Sequence, residues 1–288
     1  MRRFILSICL LLFGALTLQA HPGIGIVQDT QGNIFYTDLV HVWKICPDGE
    51  RSIAVRDVHT HELYLDADGN LYGEHEWYEG EATDKWGNYV WCLTTDGKFQ
   101  KVIPDVEGFL NNTTLVRDPD GNSYWSNKVE EGYILMKESP DGVSDYHSRH
   151  IFQDIRWKYF SKDDGNLYIV DHLSIKRVDS LGKVEVIAED LKEGRSLFSR
   201  VQDRHYVFGL WTDPSKDLYV ALYGAKKVKK ISPDGQISTV FESEGRWSPC
   251  GGLTAKDGTM WIMEFSNRNK VRVHSIGSNG VQKTFEGE

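Results

Sequence analysis

Two short segments concentrate the side chains that can do chemistry. The first reads His59-Thr60-His61-Glu62. The second reads Glu74-His75-Glu76 and runs on into Trp77-Tyr78. In an extended strand, residues two apart point to the same side. His59 and His61 therefore share a side, and so do Glu74 and Glu76. Two imidazoles and two carboxylates on facing arms of a hairpin make a donor set for a divalent ion such as Ca, Mg, Mn or Zn. On that reading His59, Glu74 and Glu76 are metal ligands, joined by Asp171 from further along the chain. His61, His75, His205 and Glu264 are the candidates for proton transfer, since imidazole titrates near neutral pH and a carboxylate can be tuned toward it. The same residues also fit a solvated polar loop whose imidazoles stack on Trp77 or Tyr78.

Substrate contacts are sought nearby. Trp77 and Tyr78 open a long link that also holds Trp86, and aromatic faces suit sugar rings. Asn112, Asn127 and His172 add hydrogen-bonding groups at equivalent places in other repeats. Arg195 and Arg200, in a second long link, suit a carboxylate. Ordinary loop anchoring explains these residues equally well.

The elements that position them come from a repeat. A D-x-x-G-N-like turn recurs as Asp29-Thr30-Gln31-Gly32-Asn33, Asp66-Ala67-Asp68-Gly69-Asn70 and Asp118-Pro119-Asp120-Gly121-Asn122. Further copies are Asp163-Asp164-Gly165-Asn166, the degenerate Asp213-Pro214-Ser215-Lys216-Asp217, and Lys256-Asp257-Gly258-Thr259. Most lead into an apolar-aromatic pair. A second turn follows each in phase, at Gly49, Gly97, Gly142, Gly182, Gly235 and Gly280. Gly accepts positive φ, and Asp or Asn bonds back to the backbone, so both are turn formers. Two turns per unit, with the links between them, give four antiparallel strands A to D in about 40–50 residues, which is the size of a propeller blade. A single such sheet cannot bury both its faces; a ring of six can. The expected fold is all-β, a six-bladed β-propeller. Every blade is complete in sequence order, so the ring should close by packing. In each blade the start of A and the end of B meet near the axis, on the disc face opposite the tight turn. Residues His59, His61, Glu74, His75, Asp171, His205 and Glu264 should converge there.

Charge and the N-terminus bound the partners. Arg2 and Arg3 precede an apolar run over 4–18 that ends at Gln19-Ala20. This is the pattern of a cleaved signal peptide over 1–20, ahead of a propeller domain over 21–288, in a secreted or periplasmic protein. The formal net charge is −9, and loss of the two arginines makes it more negative. An acidic surface repels phosphate backbones and anionic membranes, so no nucleic-acid partner and no membrane insertion are expected. A monomer with a small-molecule or glycan ligand is expected. Beyond the leader stand three cysteines, Cys46, Cys92 and Cys250. An odd count leaves at least one free thiol, and no disulfide framework is expected.

His21-Pro22-Gly23-Ile24-Gly25-Ile26-Val27-Gln28-Asp29 resembles the NHL repeat, in which His-Pro and a Gly-Ile pair precede the turn. In blade six, Gly252-Leu253-Thr254-Ala255, Gly258 and Met260-Trp261-Ile262-Met263-Glu264 resemble a streptogramin-lyase repeat. At the level of repeats, everything after residue 20 is similar to propellers of the senescence-marker-protein/gluconolactonase group. The lyase resemblance implies a His at the start of A and a Glu at the end of B, acting with Mg. Glu264 matches that Glu, but Cys250 stands where the His would be. Blade two has His61 and His75 at the two equivalent places, with the carboxylate displaced to Glu74 or Glu76. The gluconolactonase resemblance implies a metal-binding Glu in a Gly-Glu-x-Pro segment, and the segment His21-Pro22-Gly23-Ile24-Gly25 has none. Two functions follow. One is a metal-assisted hydrolase, lactonase-like, or a lyase, acting on a small polar or carbohydrate-like substrate at the axis. The other is a non-catalytic propeller that binds a glycan, a peptide or a protein.

Overall fold

A computed structural model describes residues 22–108, 110, 114–193 and 206–286. It contains six antiparallel sheets of consecutive strands. Blade one is β1 (Ile26–Gln28), β2 (Ile34–Thr37), β3 (Val42–Ile45) and β4 (Arg51–Val55). Blade two is β5 (Leu63–Leu65), β6 (Leu71–Tyr78), β7 (Trp86–Leu93) and β8 (Phe99–Glu107). Blade three is β9 (Ser123–Val129), β10 (Gly132–Glu138) and β11 (Ser144–Phe152). Its innermost strand is reduced to a bridge between Arg117 and Ser123. Blade four is β12 (Ile155–Phe160), β13 (Leu167–Asp171), β14 (Ser174–Val178) and β15 (Val184–Ala188). Blade five is β16 (Leu210–Thr212), β17 (Leu218–Leu222), β18 (Lys227–Ile231) and β19 (Ile237–Glu242), with one 3-10 turn at Tyr223–Ala225. Blade six is β20 (Trp247–Thr254), β21 (Met260–Ser266), β22 (Val271–Ile276) and β23 (Gln282–Glu286). The architecture is thus the expected six-bladed propeller, and among the described residues no blade borrows a strand.

The repeated Asp explains why the inner hairpins form. Oδ1 of Asp118 accepts the backbone N–H groups of Asp120 at 3.0 Å and Asn122 at 2.9 Å. Its Oδ2 accepts Asn122 Nδ2 at 2.7 Å and the Tyr124 hydroxyl at 2.8 Å. Asp66 repeats this with Asn70 and Tyr72, and Asp213 with Asp217 and Tyr219. One carboxylate thereby closes the turn and ties it to the next strand. Each copy has one left-handed position, filled by Gly32, Gly69, Gly121, Gly165 and Gly258 in five blades and by Lys216, at φ 64°, in the degenerate fifth copy.

Between the sheets lie apolar layers. One joins blades four and five through Val170, Ile175, Leu210 and Val220. Another closes the ring, packing Ile26, Ile34 and Tyr36 of blade one against Met263, Phe265 and Val273 of blade six. At this seam Gly251 lies so close to blade one that a Cβ would sit 2.6 Å from the Ile24 carbonyl oxygen. Outside, Arg51 of β4 donates to the Glu286 carbonyl at the end of β23. Cys46, Cys92 and Cys250 are free thiols. Among the described residues no helix is long and apolar enough to cross a membrane.

Candidate functional site

The site grows from one buried threonine. Thr60, 0% exposed, accepts a hydrogen bond from Trp91 Nε1 at 3.1 Å and donates to the Glu74 carbonyl at 2.5 Å. Its own carbonyl accepts the Thr37 hydroxyl from blade one at 2.7 Å. Gly73 makes room for this, because a Cβ there would clash with the Trp91 ring at 2.3 Å. With Thr60 pinned inward, strand alternation turns His59 and His61 the other way. Their rings meet edge to face with centroids 4.8 Å apart.

Across the hairpin, β6 presents Glu74 and Glu76 on the side facing these rings. One donor atom each from His59, His61 and Glu76 lies within 4.8 Å of the others. Glu74 has a different task from the expected one. Its Oε1 accepts the backbone N–H groups of His61 and of Glu62, the latter at 3.2 Å. It also lies 3.4 Å from Nδ1 of the His61 ring. A carboxylate on Nδ1 fixes that proton and leaves Nε2 free to bind an ion. Glu74 is therefore the group that orients His61, and Glu76 is the carboxylate on this strand that could serve as a ligand.

Electrostatics follow the same division. Burial pulls His61 toward neutrality, but the hydrogen bond and charge of Glu74 outweigh it, so its pKa is raised. Burial lowers His59, and the neighbouring His61 adds to the effect. His59 is thus the easier ring to present unprotonated to a cation. His75 points to the other side of β6 and stacks on Tyr89 at 4.6 Å. Its Nδ1 accepts the His59 backbone N–H at 2.9 Å, so the neutral ring carries its proton on Nε2. Burial, followed by repulsion from His59 and Lys101, lowers its pKa.

The remaining sequence candidates divide sharply. Glu264 does not reach the axial face. It is 0% exposed inside blade six, held at 2.5 Å by both Arg272 Nε and His274 Nε2. Cys250, at the bulge beside it, donates from Sγ to the Met263 carbonyl at 3.4 Å, and burial pushes its thiol up. Asp171 is 3% exposed, paired with Lys176 at 2.6 Å, and accepts the Asp154 N–H at 2.7 Å. It is far along the ring in blade four, and joins no cluster with His59 and Glu76. His172 occupies a left-handed turn position next to it, φ 59°. Trp77 lies over Gly87 and packs against the apolar layer between blades one and two, so it is not a rim platform. Tyr78 is 56% exposed and lies 3.3 Å from Asp84. Asn127 is exposed on β9. Asn112 and His205 lie outside the described residues.

Beside the cluster runs a channel on the ring axis, with a cavity of about 420 Å³ lined by the innermost segments of all six blades. Its walls include Ile24, Leu115, Trp157, Leu210 and Leu253. Six charged residues also line it, Glu62, Arg117, Lys158, Lys162, Asp163 and Lys256, and of these Glu62 and Lys158 lie away from the inner-hairpin turns. Burial raises Glu62 to about 7, with Glu74 adding and Lys158 and His61 opposing. Burial lowers Lys158, with Glu62 opposing. Sequence reasoning did not single out either one. The available signal was a charge between apolar neighbours on an inner strand: Lys158 between Trp157 and Tyr159, and Glu62 next to Leu63.

No family model matches the chain, and no curated protein matches it. Solved structures do. Virginiamycin B lyase from Staphylococcus aureus superposes with a TM-score of 0.52 at 14% identity, covering 95% of this chain and 87% of that one. A gluconolactonase from Xanthomonas campestris gives 0.56 at 14%, covering 93% and 87%. Regucalcin, a calcium-binding protein from Agrobacterium tumefaciens, gives 0.55 at 16%, covering 84% and 81%. The likeness is one of fold. It places the chain among six-bladed propellers that include lyases and lactonases, and the site itself must speak for chemistry.

Proposed function

We propose that this propeller binds a divalent metal through His59, His61 and Glu76 and uses it as an exported hydrolase of lactonase type, or a lyase, on a small polar substrate at the ring axis. The observation that carries this is the convergence of the three donors within 4.8 Å, with Glu74 aligned behind His61. Two imidazoles and one carboxylate suit Zn or Mn better than Ca, which prefers an all-oxygen shell. The donor set therefore fits the ion, and three protein ligands leave open positions for water or substrate, as in catalytic sites.

Bound there, the ion would polarise a carbonyl and lower the pKa of a water molecule. The chain's own residues have definite tasks around it. Thr60 holds the His-Thr-His segment rigid. Glu74 keeps a proton on Nδ1 of His61 and so keeps Nε2 available. The neighbouring channel, with Ile24, Trp157, Leu210 and Leu253 in its walls, offers apolar surface to the rest of a substrate. Lactone hydrolysis and elimination beside a carbonyl both develop negative charge on a carbonyl oxygen, and both fit. A deep channel supports a small ligand over a broad glycan- or protein-binding face, because Trp77 is packed inward.

The test is metal analysis of chelator-treated and reloaded protein, followed by a lactone-hydrolysis screen. Stoichiometric Zn or Mn that is lost in His59→Ala and Glu76→Ala supports the reading. Unchanged metal content in both variants overturns it.

A further inference from the structure

The axial channel has a charge balance of its own. The chain as a whole is acidic, with 42 Asp and Glu against 33 Lys and Arg. The channel lining reverses this, setting Arg117, Lys158, Lys162 and Lys256 against Glu62 and Asp163. Asp163 is also engaged, since its Oδ2 accepts the Thr212 hydroxyl at 2.6 Å. Among the described residues, none of the four cations forms an ion pair with a carboxylate of the chain.

The hairpin registers order these groups along the axis. Arg117 pairs with Ser123 at the foot of the inner hairpin of blade three. Lys162 and Lys256 stand in the equivalent turns of blades four and six, one residue beyond Ser161 and Ala255, whose N–H groups bond across those turns. Three cations from three blades therefore lie at the same end of the channel. Lys158 pairs with Ile169, two residues further from the turn than Phe160 opposite Leu167, which is about 7 Å along the strand. Glu62 precedes Leu63, at the other end of its inner strand, and follows His61. Its carboxylate interacts electrostatically with both Lys158 and His61, so the basic stretch adjoins the metal donors.

Cations that share a narrow cavity repel one another, and clefts lined by one sign of charge draw in the opposite sign. An anion relieves the repulsion. A carboxylate matches the guanidinium fork of Arg117. Leu115, Trp157, Leu210 and Leu253 offer apolar surface to a hydrocarbon body, which inorganic phosphate lacks, and about 420 Å³ accommodates one. We propose that the axial channel binds an organic carboxylic acid in its anionic form, with the carboxylate in the basic stretch from Arg117 to Lys158 and the apolar body against these walls. This names the class of substrate for the metal site: a carbonyl compound that carries a permanent negative charge away from the reacting group. It rests on the preceding reading only in placing the reacting carbonyl at the metal, and binding of the acid requires no metal.

Isothermal titration calorimetry on the full chain, stripped of metal and dialysed free of chelator, tests it. The probes are 3-phenylpropionate, its neutral twin 3-phenylpropionamide, and inorganic phosphate. The acid is expected to bind about tenfold more tightly than the amide, the effect of one charge-assisted hydrogen bond, and more tightly than phosphate. Arg117→Gln and Lys158→Met should each bind the acid about tenfold more weakly and leave the amide unchanged. Lys183→Met, in the outer turn of blade four, should bind the acid like the wild type. The proposal is overturned if the acid does not bind the wild-type chain, or if the amide or phosphate binds it as tightly as the acid. Those comparisons need no variant to fold. Wild-type affinity in both channel variants, or equal weakening in Lys183→Met, also overturns it. Because the metal is absent throughout, the result is independent of whether His59, His61 and Glu76 bind one.

Discussion

The role of Glu74 gives the sharpest test of the metal site. Substituting Glu74→Gln keeps the shape, and an amide oxygen can still accept the His61 and Glu62 N–H groups. What it removes is the negative charge 3.4 Å from Nδ1 of His61. A hydrogen bond to a charged group contributes about 1.5–3 kcal/mol. The two side chains are 20% and 19% exposed, so solvent screens part of that and the lower end applies. The expected loss is about 1.5 kcal/mol, or about tenfold in zinc affinity, in the range known for groups behind a metal-binding imidazole. Calorimetric zinc titration at neutral pH reads it directly. An NMR titration of the His61 ring should show its pKa lowered in the variant, since Glu74 is what raises it. Zinc affinity within about twofold of wild type, alongside a lowered His61 pKa, would refute the idea that Glu74 works through the metal ligand.

Four further outcomes follow from the fold. Asp118→Ala should cost about 3 kcal/mol in urea unfolding, because it strands the buried donors of Asn122 and Tyr124, whereas Asp29→Ala, which has no tyrosine partner, should cost about 1 kcal/mol. The hydrogen bonds of Asn122 and Tyr124 overcome burial and lower the Asp118 pKa, so its contribution is present above the ordinary Asp value and disappears as pH falls through the folded value; unfolding curves at descending acid pH should show the wild type converging on the Ala variant. Lys216→Gly should raise Tm by about 2 °C in calorimetry, since it relieves a left-handed, exposed lysine at a turn where five other blades carry glycine. Glu264→Gln should lower stability by about 3 kcal/mol while leaving zinc affinity unchanged; a tenfold loss of zinc affinity would return Glu264 to the metal site.

The blades were legible because their turns are local. Asp118 and Gly121 need only their neighbours to define a hairpin, and Asp213 still does so with Lys216 in place of glycine. The His-Thr-His segment was legible for the same reason, since alternation alone puts His59 and His61 on one side. Glu264 misled because the end of an inner hairpin strand can face either the axis or the next blade. Arg272, directly across the hairpin from Glu264, and His274, two residues further on, were the sign that it faces a partner. Glu74 looked like a ligand because its backbone task, capping the His61 and Glu62 N–H groups, has no sequence signature. That Glu62 and Lys158 line one channel depends on how blades two and four are arranged around the ring, and no local pattern encodes that.

The seam at Gly251 has a consequence for how the ring assembles. Every other sheet-to-sheet layer joins blades adjacent in the chain, so each can form as soon as its two neighbours exist. Blade six meets blade one across nearly the full length of the described chain, and that contact carries the largest loop-closure entropy in the molecule. At its tightest point it admits no Cβ, because Gly251 presses on Ile24. The seam should therefore be the last junction to lock during folding. By the same reasoning it is the first place to breathe, and amide exchange in β1 and β20 should run ahead of that in β13 and β17.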